Sequence, residues 1–179
     1  MNVFVLCTGR CGSLTFANAC THILNFSSAH ESRTQCIGSE RLTYPAQHIE
    51  IDNRLSWLLG RLDKTYGDEA FYVHLKRDKN KVAESFTKRY AGGIIKAYRG
   101  SGIMLGLPES ADPMEVSLDY CETVNENIIL FLKDKSNKME FNLENFEQDL
   151  EKFWTRIEAQ GSYKNSLAEF TNIYNASKI

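Results

Sequence analysis

The sequence predicts a three-layer α/β fold in which a mostly parallel central sheet is flanked by helices. Short apolar runs typical of buried strands alternate with longer stretches whose apolar residues recur every three or four positions. Two of the strand runs, residues 3–6 and 71–75, end in polar turns that lead directly into helix patterns. Because ligands of such sheets bind at the carboxyl ends of strands, we expect the functional site at these two turns.

The length of 179 residues fits one domain of ordinary size, and we expect a single domain over residues 1–179. The net charge of −2 and the scattered basic residues do not favour nucleic-acid or membrane binding. The first apolar run is too short for a signal peptide or a membrane span, so we expect a cytoplasmic protein. The five cysteines include no C-x-x-C pair, which favours reduced thiols over a disulfide framework or a metal site.

The first half of the chain contains three predicted strands and two predicted helices. Residues 3–6 form the first strand, and a helix over residues 13–25 follows, with Asn25 as its stop signal. A weak second strand covers residues 26–29 and is followed by a polar loop. Residues 48–52 alternate as a short strand, after which Asn53 is expected to cap a helix that ends at Gly67-Asp68.

The second half begins with the clearest later strand, residues 71–75, and a helix that extends to Tyr90 before Gly92 and Gly93 weaken it. Several Gly and Pro residues between Arg99 and Pro113 predict a mobile surface loop, serving as a lid or an acceptor-binding loop.

Three further elements close the predicted fold. Residues 113–133 form a long amphipathic helix, residues 138–142 a last strand, and residues 143–157 a helix with a broad apolar core face, which Gly161 is expected to cap. The polar tail beyond Gly161, which includes Tyr163, Lys164 and Asn165, either folds over the ligand or is a solvated loop, and the solvated loop is favoured.

The first polar turn has the composition of an anion site. A Gly-containing turn before a helix presents backbone N–H groups to an anion, and the helix dipole adds about 0.3–1 kcal/mol at an exposed terminus. Here Gly12, Ser13, Leu14 and Thr15 would supply the N–H groups, and Arg10 adds a cation. The alternative is a turn that binds nothing, but an Arg between two glycines favours the anion.

Two common kinds of phosphate loop fit this turn poorly. A Walker A loop has the pattern G-x-x-x-x-G-K-[ST], and residues 8–13 lack both its spacing and its Lys. A low-molecular-weight cysteine phosphatase would use Cys7 as nucleophile, with Asp112 imitating its general acid. That enzyme needs an Arg six residues after the Cys, where Ser13 stands. We therefore interpret Cys7 and Cys11 as packing residues and keep the phosphatase as a less favoured alternative.

Together the two turns resemble motifs of the sulfotransferases that use 3′-phosphoadenosine 5′-phosphosulfate (PAPS), which share a P-loop NTPase-like α/β architecture. The family's first loop, T-x-[RK]-[ST]-G-[ST]-[ST], grips the 5′-phosphosulfate. The similar loop here, with Cys11 and Leu14 in place of hydroxyl residues, consists of Thr8, Gly9, Arg10, Cys11, Gly12, Ser13, Leu14 and Thr15. The family's 3′-phosphate site uses an Arg at a strand end and a Ser eight residues later, which Arg77 and Ser85 match.

The resemblance, to a small bacterial-type member, implies transfer of a sulfuryl group from PAPS to a hydroxyl or amine of a small-molecule or carbohydrate acceptor, without a metal. It implies that Arg10 stabilises charge on the leaving phosphate. Residues 139–146 also resemble the family's late strand and helix. The chain is short for the family, so either its acceptor-binding parts are reduced or a partner subunit, such as a second copy in a homo-oligomer, completes them.

A general base is expected at the end of the second strand, where His30 and Glu31 stand. Glu31 is the first choice, because similar members of the family have a Glu in this region, and the role requires a partly buried carboxyl. His48 is a further alternative, and a polar cluster over residues 50–54 either contacts the acceptor or caps a helix. The rival function is a non-catalytic module that binds PAPS or adenosine 3′,5′-bisphosphate.

Overall fold

Five parallel strands form the central sheet in the computed structural model, which describes residues 1–172. The strands are β1 (Val3–Leu6), β2 (Ser27–His30), β3 (His48–Ile51), β4 (Phe71–Lys76) and β5 (Lys138–Asn142). Their order across the sheet is β2-β3-β1-β4-β5, and each neighbouring pair is parallel. The predicted α/β fold with a parallel sheet flanked by helices is therefore confirmed.

Seven α-helices lie between and around the strands within the described residues. They are α1 (Ser13–Cys20), α2 (Leu59–Tyr66), α3 (Lys79–Thr87), α4 (Gly93–Ala97), α5 (Pro113–Leu132), α6 (Phe146–Arg156) and α7 (Tyr163–Glu169). Helix α3 packs against α5, and α1 packs against α7 and the β2–β3 part of the sheet. Within residues 1–172, no helix has both the length and the apolar character needed to cross a membrane.

The central strand β1 fixes the position of the first polar turn. All four of its side chains are completely buried, as expected for a strand covered by helices on both faces. Phe4 contacts the rings of Tyr44 and Tyr66 on one side, while Phe16 of α1 packs edge-on against Phe141 and Phe153. The turn after Leu6 is therefore anchored in the middle of the core.

Several helix boundaries differ from the sequence-based expectation. Helix α1 ends at Cys20 rather than Asn25, because Ile23 forms a β-bridge with Gly161 and the Leu24 N–H donates to the carbonyl of Gln160 (2.7 Å). Helix α2 begins at Leu59 only after a 3₁₀ turn over Asn53–Trp57.

The cap of that 3₁₀ turn is Asp52 rather than Asn53. The Asp52 carboxylate accepts a hydrogen bond from the backbone N–H of Arg54 (2.8 Å). The polar cluster of residues 50–54 is expected either to contact the acceptor or to cap a helix. Asp52 does act as a cap, although the element it caps is a 3₁₀ turn and not an α-helix.

The segment expected to be a surface loop is partly helical at its start. Helix α3 ends at Thr87, so Tyr90 lies beyond it, and a short wide turn, Tyr98–Gly102, continues α4. The polar tail begins with α7. The rest of that tail, residues 173–179, lies outside the described residues.

Gly161 does not cap the preceding helix, contrary to expectation. Helix α6 ends instead in a Schellman motif, in which the Ala159 N–H donates to Trp154 O (2.9 Å) and the Glu158 N–H to Thr155 O (3.1 Å). Glu158 takes the left-handed position of this motif, with φ of 51°. Gly161 is needed for the β-bridge, because a Cβ there would lie 2.1 Å from the carbonyl oxygen of His22.

Glu158→Gly should stabilise the protein, because glycine adopts a positive φ without the steric cost that Glu158 meets. We expect a gain of about 0.5–1 kcal/mol in the free energy of unfolding, measured by urea denaturation. The matched control is Glu151→Gly in the interior of α6, which should lose about 1 kcal/mol. A loss of stability in Glu158→Gly would contradict the expectation.

Candidate functional site

The two turns that the sequence singles out lie side by side at the carboxyl edge of the sheet. Strands β1 and β4 are direct neighbours, so the turns that follow them leave the sheet together. Arg77 donates from Nη1 to the backbone carbonyl of Arg10 (3.3 Å), and Arg10 donates from Nε to Ser85 Oγ (2.9 Å). The two motifs are thus in direct contact through residue pairs that are 67 and 75 positions apart in sequence.

The first loop is held from beneath through its backbone. The Tyr120 hydroxyl donates to the carbonyl of Thr8 (2.7 Å), and the Ser56 hydroxyl donates to the carbonyl of Cys7 (3.2 Å). Gly9 has φ of 80°, and a Cβ there would lie 2.5 Å from Nδ2 of Asn53. The loop therefore requires glycine at this position and has one well-defined path.

Helix α1 begins at the end of this loop with its N-terminus towards a large cavity. Its N-cap residue is Gly12, which has no side chain to accept a hydrogen bond from the first turn. Ser13, Leu14 and Thr15, the first three helical residues, all line the cavity. Their N–H groups and the positive end of the helix dipole can therefore act on an anionic ligand.

The cavity has a volume of about 1210 Å³ and carries a concentration of positive charge. This volume exceeds the 300–1,000 Å³ that is typical of a site for one small molecule, so there is room for two ligands. Its charged lining residues are two glutamates, Glu31 and Glu84, and six cations, Arg10, Arg54, Arg77, Lys81, Lys88 and Arg89. In a chain of net charge −2, such a lining is suited to a polyanion.

Three of these arginines influence each other electrostatically. Burial lowers the pKa of the Arg10 guanidinium from its ordinary value, and repulsion from Arg89 and Arg77 lowers the pKa further. Lys81 and Ser85 are four residues apart on one side of α3, while Arg77 lies just before its N-cap and Arg89 just after its C-cap. A bound anion between these cations would relieve their repulsion.

An apolar wall borders the same cavity beside the first loop. It consists of Leu143, Phe146 and Phe170, and the rings of Phe146 and Phe170 are nearly parallel, with centroids 5.2 Å apart. The sequence pattern indicates that the helix face containing Leu143 and Phe146 is core. The structure shows instead that these two side chains are only half-buried and face the cavity.

His30 and Glu31 also line the cavity. Nε2 of His30 is hydrogen-bonded to Ser13 Oγ (3.2 Å), so the imidazole contacts the first turn of α1. Glu31 forms an ion pair with Arg54 (Oε2 to Nη1, 2.7 Å) and keeps 31% of its side chain exposed. The ion pair and this exposure leave Glu31 as a candidate base on the cavity wall.

The turn that carries Glu31 is fixed by a buried polar network. Glu31 has a positive φ of 52°, and the next residue, Ser32, donates from both N–H (2.8 Å) and Oγ (2.7 Å) to the carboxylate of Glu50. Glu50 is completely buried and also bonds to Nε2 of His48 (3.0 Å), whose Nδ1 bonds to Ser27 Oγ (2.8 Å). His48 and Glu50 thus lie behind the cavity wall and support the turn.

Most of the residues singled out in the sequence lie on this one cavity. They are Gly9, Arg10, Gly12, Ser13, Leu14, Thr15, His30, Glu31, Arg77 and Ser85. Thr8 and Cys11 are buried within the loop and do not line the cavity.

Cys7 is also completely buried, and its hydrogen bond with Cys11 together with burial raises the pKa of the Cys7 thiol well above its ordinary value. The loop therefore presents no accessible thiolate from Cys7.

Sequence reasoning missed the cations that follow Ser85. Arg89 and Lys88 line the cavity, yet they lie outside the Arg77–Ser85 motif. The four-residue spacing of Lys81, Ser85 and Arg89 is a usable signal, since it is the spacing of one helix face. Phe170 gave no such signal, because only the packing of α7 brings it to the site.

The fold is shared with a sulfotransferase of known structure. The chain is similar to the solved sulfotransferase domain from the curacin biosynthetic pathway, with a TM-score of 0.61 and 12% sequence identity. The match covers 96% of this chain and 78% of that one. At this identity the likeness shows a common fold. No family model and no curated protein sequence matches the chain.

Proposed function

We propose that the protein is a sulfotransferase that moves a sulfuryl group from PAPS to a hydroxyl or amine of a small-molecule or carbohydrate acceptor. The observation that carries this proposal is the direct contact between the two anion motifs, made by the Arg10–Ser85 and Arg77–Arg10 hydrogen bonds on a cationic cavity. A sulfotransferase-like fold around that cavity supports it.

The residues present fit a nucleotide with phosphates at both ends. The N-terminus of α1 and Arg10 would hold the 5′-phosphosulfate, while Arg77 and Ser85 would hold the 3′-phosphate. The neighbouring Arg89, which like Arg77 repels Arg10, adds a third guanidinium to this site. The nearly parallel rings of Phe146 and Phe170 offer an apolar surface for a purine base.

When bound, PAPS would supply the sulfuryl group, and the chain's own residues would supply orientation and charge. Backbone N–H groups of the first turn of α1 would orient the oxygens of the donor. Arg10 would donate hydrogen bonds where negative charge accumulates on the departing phosphate. Glu31 would accept the proton of the acceptor hydroxyl or amine, because it lines the part of the cavity that also contains His30.

Titration with adenosine 3′,5′-bisphosphate tests the nucleotide site. We expect binding at micromolar concentration, and a loss of about 10–100-fold in Arg77→Ala, because a hydrogen bond to a charged group contributes about 1.5–3 kcal/mol. Adenosine 5′-phosphate, which lacks the 3′-phosphate, should bind both forms with similar affinity. Isothermal titration calorimetry measures both ligands.

Arg61→Ala is the matched control, because Arg61 is an exposed arginine that does not line the cavity. Unchanged bisphosphate affinity in Arg77→Ala would contradict the 3′-phosphate assignment. Transfer of labelled sulfate from PAPS to a panel of hydroxyl and amine acceptors then separates an enzyme from a binding module. Tight bisphosphate binding with no transfer to any acceptor would overturn the catalytic part of the proposal.

A further inference from the structure

A second groove lies at the β5 edge of the sheet and shares no lining residue with the first cavity. It has a volume of about 570 Å³ and runs between β5 and the C-terminal half of α5. Leu130 and Ile129 on its rim are 72% and 43% exposed. Among the described residues β5 pairs only with β4, so the outer side of β5 is open.

The charges and apolar residues that α5 contributes to this groove match those of a second α5 in an antiparallel arrangement. Glu126 and Lys133 are equally far from the midpoint between Ile129 and Leu130, and all four line the groove. If a second α5 packs antiparallel across that midpoint, each Glu126 faces Lys133 of the other copy. The two apolar residues then meet at the centre, which is the arrangement of a two-fold interface.

The outward backbone groups of β5 can pair with those of a second β5 in an antiparallel register. The Tyr72 N–H donates to the carbonyl of Asn137, so the backbone groups of Asn137 and Met139 face β4. Strand alternation then directs the N–H and C=O groups of Lys138 and Glu140 outward. Antiparallel pairing of two β5 strands about Met139 places Lys138 opposite Glu140 of the other copy, where outward donors and acceptors match.

A single two-fold axis can pass through both centres of symmetry, the midpoint between Ile129 and Leu130 on α5 and Met139 on β5. Ile129, Leu130 and Met139 line the same groove, so an axis perpendicular to the sheet at this edge would relate both the strands and the helices. We propose that two copies of the chain form a two-fold dimer in which β5 pairs with β5 and α5 packs antiparallel on α5. The dimer joins two five-stranded sheets into one, and it does not depend on the proposed activity.

The strongest support for the second copy is its charge pattern. Charged residues on an edge strand usually discourage pairing, but in this register no like charges meet on β5, and Glu140 is already paired with Lys76 of its own chain (3.2 Å). Within one chain, Lys138 Nζ already donates to the carbonyls of Leu132 and Lys133. The contribution of β5 is therefore mainly its backbone, and the side-chain complementarity lies on α5.

Sedimentation velocity of the full chain tests the dimer. We expect wild type to have twice the mass of the 20.4 kDa chain at micromolar concentrations, and Leu130→Glu to be a folded monomer, since Leu130 is exposed. The melting temperature of this variant should no longer rise with protein concentration, because the stabilisation by the dimer is lost. Leu105→Glu is the control, because Leu105 is 89% exposed and lies outside the groove. A wild type that stays monomeric, or a Leu130→Glu dimer, would overturn the proposal.

Charge reversal tests the register independently of the apolar centre. Glu126→Lys alone, or Lys133→Glu alone, opposes like charges at two symmetric places, so each should raise the dimer dissociation constant by about tenfold or more. The double variant restores opposite charges and should return within about threefold of wild type. A double variant as weak as the singles would exclude this antiparallel α5 pairing.

Discussion

Arg10→Ala is expected to slow sulfuryl transfer by about a hundredfold or more. Removing one preorganised donor from the place where charge develops costs about 10²–10³ in turnover in enzymes of this general kind. In the proposed mechanism Arg10 has that place, because it stands on the loop between Gly9 and the start of α1 and bonds to Ser85 of the other anion motif. Turnover is measured with saturating PAPS and acceptor.

The effect on binding should be smaller than the effect on turnover. Arg10 repels Arg77 and Arg89, so its removal relieves repulsion between cations while it removes a contact to the ligand. We therefore expect the affinity for adenosine 3′,5′-bisphosphate to fall by less than the turnover number. Ser85→Ala keeps the guanidinium but removes both its hydrogen bond to Ser85 and the proposed Ser85 contact to the 3′-phosphate, so at saturating PAPS it should cost less turnover than Arg10→Ala. Full turnover in Arg10→Ala would refute the assignment.

The strands could be predicted from sequence because their signals are local. Residues 3–6 are a continuous apolar run and residues 71–75 are apolar apart from His74, and the sheet buries both of them as parallel strands require. The end of α1 could not be predicted in the same way. It is set by the bridge between Ile23 and Gly161, two residues that are 138 positions apart, and no local pattern encodes such a contact.

The same distinction holds for the cavity. Arg10, Arg77 and Ser85 belong to short motifs with fixed spacing, so the amino-acid sequence alone identifies them as candidates. The wall formed by Phe146 and Phe170 arises only when α6 and α7 pack beside the loop, because apolar residues at helical spacing look the same whether they face a core or a cavity.

The choice between two neighbouring bases also depends on three-dimensional contacts. His30 and Glu31 are adjacent in sequence and both line the cavity, but their partners differ. The imidazole bonds to Ser13 at the start of α1, whereas the carboxylate of Glu31 pairs with Arg54 further along the cavity. His30 is thus suited to orient the anion loop, and Glu31 is suited to face an acceptor.

Glu31→Gln should therefore lower turnover by about a hundredfold or more, the usual contribution of a general base, with bisphosphate affinity unchanged. His30→Gln is the matched control and should cost less turnover, because it removes a contact to the loop and not the base.

Ser32→Ala weakens the turn that Glu50 holds. If Ser32 acts through Glu31, the loss of turnover caused by Ser32→Ala should largely disappear in the Glu31→Gln background. Additive losses would show that Ser32 acts on general stability, whereas a larger loss in His30→Gln would transfer the role of base to the imidazole.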